Sequence, residues 1–138
     1  LCFGWIDSIQ KSYDEKSRIQ RYSVRNPKSS YSQLNKERVR WLHNQGMIHP
    51  SVIDSVRFIL EETYVFPEDI LQELQKDSVV WENYNLQSES YRRIRIAYID
   101  HSRISPEHFQ QRLHHFIEKT RDNKLIKGYG GTDKYYEL

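Results

Sequence analysis

The chain has 138 residues, 37% of them hydrophobic and 13% aromatic, with a mean hydropathy of -0.86 and a formal net charge of +2. That length can bury a core without disulfides or a metal, and the single cysteine, Cys2, excludes an internal disulfide and suits a reducing compartment. No apolar run approaches the ~18 residues that span a bilayer and no signal-peptide pattern is present, so membrane insertion is not expected and much of the core must come from ten Tyr, five Phe and three Trp.

Phe3 to Asp7 has the aromatic and branched content of a short strand, and Arg18 to Val24 alternates as a second one. The polar Gln10 to Ser17 between them reads as a loop, giving a hairpin that two strands alone would hold only marginally. A turn around Asn26-Pro27 then leads to a helix over about 30 to 45, capped by serines and stopped at Gly46. Its inward stripe is centred on Tyr31 and Leu42, with Leu34 and Val39 at the margins and Asn35 and Arg38 inside it.

Ser51 starts a second helix with Val52, Ile53, Val56, Ile59 and Leu60 as its apolar side, ending near Thr63. Residues 64 to 67 form a linker, and Pro67 opens a third helix with acids in its first turn and Ile70, Leu71 and Leu74 turned inward. Val79, Val80, Trp81 and Tyr84 mark a short fourth helix. Ser88 caps a fifth with Tyr91, Ile94, Ala97 and Tyr98, and Ser105-Pro106-Glu107 starts a sixth with Phe109, Leu113, Phe116 and Ile117. The fold class expected is therefore α+β: a small antiparallel sheet near the N-terminus packed on a helix, then a mainly helical C-terminal portion. Residues 1 to 125 read as one domain and 126 to 138 as a flexible tail; because the first residue is Leu1, an N-terminal segment is expected to be missing.

Charge is segregated along the chain. Lys11 to Arg40 carries +6, Asp54 to Glu89 carries -7, and Arg92 to Lys127 carries +5. Either the acidic middle compensates the basic ends, the favoured reading, or the basic faces meet a polyanion.

No strong catalytic motif appears. Gly-Tyr-Gly-Gly at 128 to 131 lacks the helix and lysine of a phosphate loop, and neither the histidines nor Cys2 have zinc-ligand spacing, so no cofactor or metal is expected. His108 and His115, seven apart on one helix, read as solvated. What remains is a polar constellation: Asp7, Arg25, Ser29, Ser32, Asn35 and Arg38. A guanidinium and an amide within an apolar stripe cost free energy unless hydrogen-bonded, so these residues form either a pocket for a small anion or an internal network in which Asp7 pairs with Arg25 or Arg38.

Leu1-Cys2-Phe3-Gly4-Trp5-Ile6-Asp7-Ser8, then Arg25-Asn26-Pro27-Lys28-Ser29, Ser32, Asn35, Arg38 and Gly46-Met47, resembles the bacteriocin-protection, YdeI or OmpD-associated family, and Tyr91-Arg92-Arg93 with Ile99 is similar to its C-terminal helical region. The resemblance runs to about Leu125, although Val24 and Tyr31 stand where the family usually has Pro and Trp. It implies a role in protection against antimicrobial peptides or envelope stress, without an established chemical activity. The leading expectation is a non-enzymatic binding or stress-protection protein of the cytoplasm, or of the nucleus in a fungal source, whose partner is a protein or a small anionic ligand. An enzyme acting on a small anion in the Arg/Ser/Asn pocket is the first alternative. Nucleic-acid binding through the basic helix with Arg92, Arg93 and Arg95 is a less favoured second.

Overall fold

The computed structural model describes residues 1–26, 28–128 and 132–135, without the side chains of Ser8 and Thr132. The chain is α+β: β1 (Trp5–Ser12) and β2 (Arg18–Val24) form an antiparallel pair, followed by α1 (Gln33–Asn44), α2 (Pro50–Glu61), α3 (Glu68–Gln75), α4 (Ser78–Leu86), α5 (Glu89–Asp100) and α6 (Pro106–Arg121), with a 3₁₀ turn at Thr132–Tyr135. It divides into two compact units, Leu1–Glu62 and Thr63–Leu138.

In the first unit β1 runs five residues beyond its predicted end. Trp5 pairs with Val24, Asp7 with Tyr22, and Ser12 with Arg18, with an irregularity between Asp7 and Ile9. The stretch read as a loop thus contributes Gln10, Lys11 and Ser12 to the ladder. A hairpin strand exposed on both sides has no apolar alternation to advertise it, and here the turn chemistry is what fixes its end. Asp14 Oδ1 accepts the main-chain N–H groups of Lys16 at 2.8 Å and Ser17 at 2.6 Å. Those bonds, the Lys16 amide first, hold the Asp14 carboxyl below the usual carboxylate range.

Ser32 caps α1 by accepting the Asn35 N–H at 3.3 Å, and Gly46 beyond its end takes φ +66°, a left-handed conformation that an L side chain resists. Pro50 occupies the first turn of α2, where its missing N–H costs nothing, and His49 caps it. The core of this unit is Val39, Ile48, Val52, Val56 and Ile59, with Tyr31, Leu42, Ile53 and Leu60 partly buried against it. Gly4, at φ +67°, brings the chain close to Val52, and its carbonyl accepts the Arg25 N–H at 2.9 Å.

The second unit is helical. Asp77 caps α4 by accepting the N–H groups of Val79 and Val80, and Ser88 caps α5. Among its buried residues are Ile70 and Leu74 of α3, Val80 and Tyr84 of α4, Tyr91, Ile94, Ile96 and Ile99 of α5, and Leu113 and Phe116 of α6. One expectation about α5 needs correcting. Tyr98 is 52% exposed while Ile96 and Ile99 are buried, so this helix is enclosed around more than the single stripe that its spacing suggested. The Tyr98 ring is instead covered by the Arg112 guanidinium, 3.9 Å from its centroid. In the segment read as a tail, Ile126 is tied to α5: its N–H donates to the Tyr91 hydroxyl at 2.8 Å and its carbonyl accepts from Arg95. Residues 129–131 and 136–138 of that segment lie outside the described residues.

Candidate functional site

The structure divides the predicted constellation into three groups. Asp7 is exposed in the interior of β1, opposite Tyr22, rather than at a strand end. Among the described residues no ion pair joins Asp7 to Arg25 or Arg38, so the internal pairing considered for it does not form. The reason is positional, since the strand continues past Asp7 to pair Gln10 with Gln20 and leaves the carboxylate on an exposed ladder.

Arg25 forms the second group. Its guanidinium lies 3.7 Å from the centroid of Tyr31, donates to the Ser30 carbonyl, and reaches the Ser29 carbonyl at 3.5 Å. Ser29 joins through its main chain, its N–H donating to the Asn26 carbonyl at 3.0 Å. Asn26 also accepts the Lys28 N–H through Oδ1 at 2.9 Å, so the expected turn is built on Asn26; Pro27 lies outside the described residues. Arg25 thus clamps the turn and delivers Ser32 to the start of α1. An arginine suits this because one planar group can stack on a ring and donate in its own plane.

Ser32, Asn35 and Arg38 form the third group, a file at three-residue spacing along the start of α1. Ser32 Oγ accepts from the Asn35 N–H, and Asn35 Oδ1 accepts from Arg38 Nη1 at 3.3 Å. Asn35 and Arg38 are half-buried, as their stripe position predicts. No acidic residue stands in the first turn of α1. The file presents hydroxyl, amide and guanidinium together at a helix N-terminus.

The most deeply buried charge of this unit was not foreseen. Glu37 is fully buried, five residues from Leu42 and therefore roughly 140° around the helix from it. Gln33 Nε2 donates to its Oε1 at 2.6 Å, and Arg40 Nη1 pairs with it at 2.8 Å. Lys36 and Arg40 in turn reach Glu62 at 2.5 and 3.8 Å. The i, i+3 and i, i+4 spacings were visible, but on a helix they usually mean a solvated face, and the contact with Glu62 comes from the far end of α2.

In the second unit the arginines proposed for nucleic acid are engaged internally. Arg93 pairs with Glu89 at 3.2 Å, Arg92 lies 5.2 Å from the Tyr84 centroid, and Arg95 lies 5.4 Å from that of Tyr91 while donating to Ile126. Arg103 grips Asp69 with two hydrogen bonds at 2.8 and 2.9 Å and Asp100 with one at 2.6 Å. These hold the Asp69 carboxyl below, and the Arg103 guanidinium above, their ordinary ranges. Burial pushes the phenols of Tyr84 and Tyr64 up to about 12. A depression of about 360 Å³ lies beside the C-terminal turns of α6, lined by His115, Glu118, Lys119, Arg121 and Asp122, whose mixed charges favour no one ligand. The described residues contain no group of three or more His, Cys, Asp or Glu able to hold a metal ion, and no helix among them is long and apolar enough to cross a membrane.

Residues 63–123 match the model of the family described as Bacteriocin-protection, YdeI or OmpD-Associated, and residues 1–55 match a different one, a Domain of unknown function (DUF8412). The boundary between the matches coincides with that between the two units. Most of the motif residues that suggested the first family, from Leu1 to Met47, lie in the segment matched by the second; Tyr91-Arg92-Arg93 and Ile99 lie within 63–123. No curated protein matches the chain, and no solved structure does.

Proposed function

We propose, from the helical unit's match to the bacteriocin-protection family, that this chain is a non-enzymatic binding or stress-protection protein. That match, over residues 63–123, is the observation that carries the reading. The way charge is disposed supports binding rather than turnover. Glu37, Arg40, Lys36 and Glu62 are tied together by ion pairs, as are Arg103, Asp69 and Asp100. Groups locked in mutual ion pairs are poorly placed to exchange protons or attack a substrate. The partner that fits is another protein, met through surface the helical unit leaves exposed, such as Ile104 and Val65. The test is survival of a bacteriocin-sensitive bacterium that produces the full chain. More survivors than in a control producing no chain support the proposal, and equal survival refutes it.

A second reading takes the Ser32, Asn35 and Arg38 file as a seat for a small anion. The observation favouring it is the convergence of these groups on a helix start that has no acid in its first turn. Inorganic phosphate titrated into the protein should then raise its melting temperature and shift the Asn35 amide resonance. If neither moves, this reading is wrong.

A further inference from the structure

We infer that Glu62 is a charge-operated latch fixing where the chain leaves the first unit. It is the C-cap of α2, where the backbone passes from helix to extended at φ -69° and ψ 129°, and it is the last residue of that unit. The carbonyls at a helix C-terminus lack intrahelical partners, and α2 has no basic residue in its last turn to meet them. The cations come instead from α1. Lys36 Nζ lies 2.5 and 2.7 Å from the two carboxylate oxygens of Glu62, and Arg40 Nη2 donates to its main-chain carbonyl at 3.1 Å. Arg40 is itself oriented by the buried carboxylate of Glu37. Side chain and main chain of one residue are thus held by two cations of α1.

The ion pairs of Arg40 and Lys36, one to Glu37 and two to Glu62, differ in kind. Glu37 is fully buried, so its bond to Arg40 is shielded from salt. The Lys36 and Glu62 side chains are 18% and 35% exposed, within reach of solvent and salt. Raising ionic strength, or neutralising Lys36, therefore loosens Glu62 and the first residues of the 63–67 connection, leaving the carboxylate only its longer 3.8 Å pair with Arg40, while α1 stays intact.

Amide hydrogen exchange of the full chain tests this, comparing wild type, Lys36→Met and Glu62→Gln at low salt and at about 1 M salt. In wild type, exchange at residues 59–61, the last turn of α2 that Glu62 caps, should rise roughly fivefold with salt, the size expected of a solvent-accessible pair. Both variants should exchange faster than wild type already at low salt and lose most of the salt response, with α1 as protected as before. If Glu62→Gln loosens α1 as well, Lys36→Met decides, because it leaves Glu37 and Arg40 untouched. Wild-type exchange that ignores salt, or a Lys36→Met protein with wild-type rates and salt response, overturns the latch.

Discussion

Arg40 stands one turn from Glu37 on α1 and pairs with it at 2.8 Å, and the carboxylate it meets is completely shielded from solvent. Removing the cation takes away the guanidinium that meets this buried carboxylate beside the Gln33 amide. Arg40→Ala should therefore destabilise the first unit by ~3–5 kcal/mol, the cost of stranding half of a buried pair. A denaturant melt followed through α1 checks it. A loss under about 1 kcal/mol would place this pair with ordinary surface bridges.

Ser32 and Ser29 were both read as site residues, and their contacts predict different responses. Ser32→Ala removes the cap on the Asn35 N–H and should cost ~1 kcal/mol. Ser29→Ala should be close to neutral, because Ser29 contributes through its main chain. Equal losses from the two, measured by thermal melting, would contradict the cap assignment.

The difference between what was and was not legible follows from range. Spacing and local chemistry disclosed α2 through Val52, Val56 and Ile59, α6 through Ser105-Pro106, and the caps at Ser32 and Ser88. Asn35 and Arg38 are half-buried, as their place in the inward stripe indicates, but Arg38 donates to Asn35 and not to Asp7. Glu37 was missed because its helical spacing to Gln33 and Arg40 usually marks a solvated face, and the second pair of Arg40 reaches Glu62, far away in sequence. Asp7 was misplaced because the end of β1 is set by Asp14 in the turn and not by hydrophobic alternation.

Alkali should weaken the second unit. Tyr84 and Tyr64 have phenols raised by burial to about 12, against about 10 in an unfolded chain. Between those values the unfolded state gives up protons that the folded state keeps, so the stabilising contribution is complete below pH about 10 and is lost as pH rises towards 12. Tyr84→Phe should flatten that fall. Stability measured by denaturant across this range tests it, and an identical slope in the variant would remove Tyr84 as a cause.

Leu74 of α3 is wholly buried, so Leu74→Ala should cost ~2–5 kcal/mol in the second unit through lost burial and the cavity left behind. Exchange protection of α3 and α4 should fall while that of α1 does not.

The measurement closest to the central claim is bacteriocin killing of a sensitive bacterium producing either wild type or Leu74→Asp, which buries a charge in the helical core and should unfold that unit. Survivors should increase with wild type over a control without the chain, and return to the control level with Leu74→Asp. Survival that wild type does not raise, although it is produced and folded, would contradict the account.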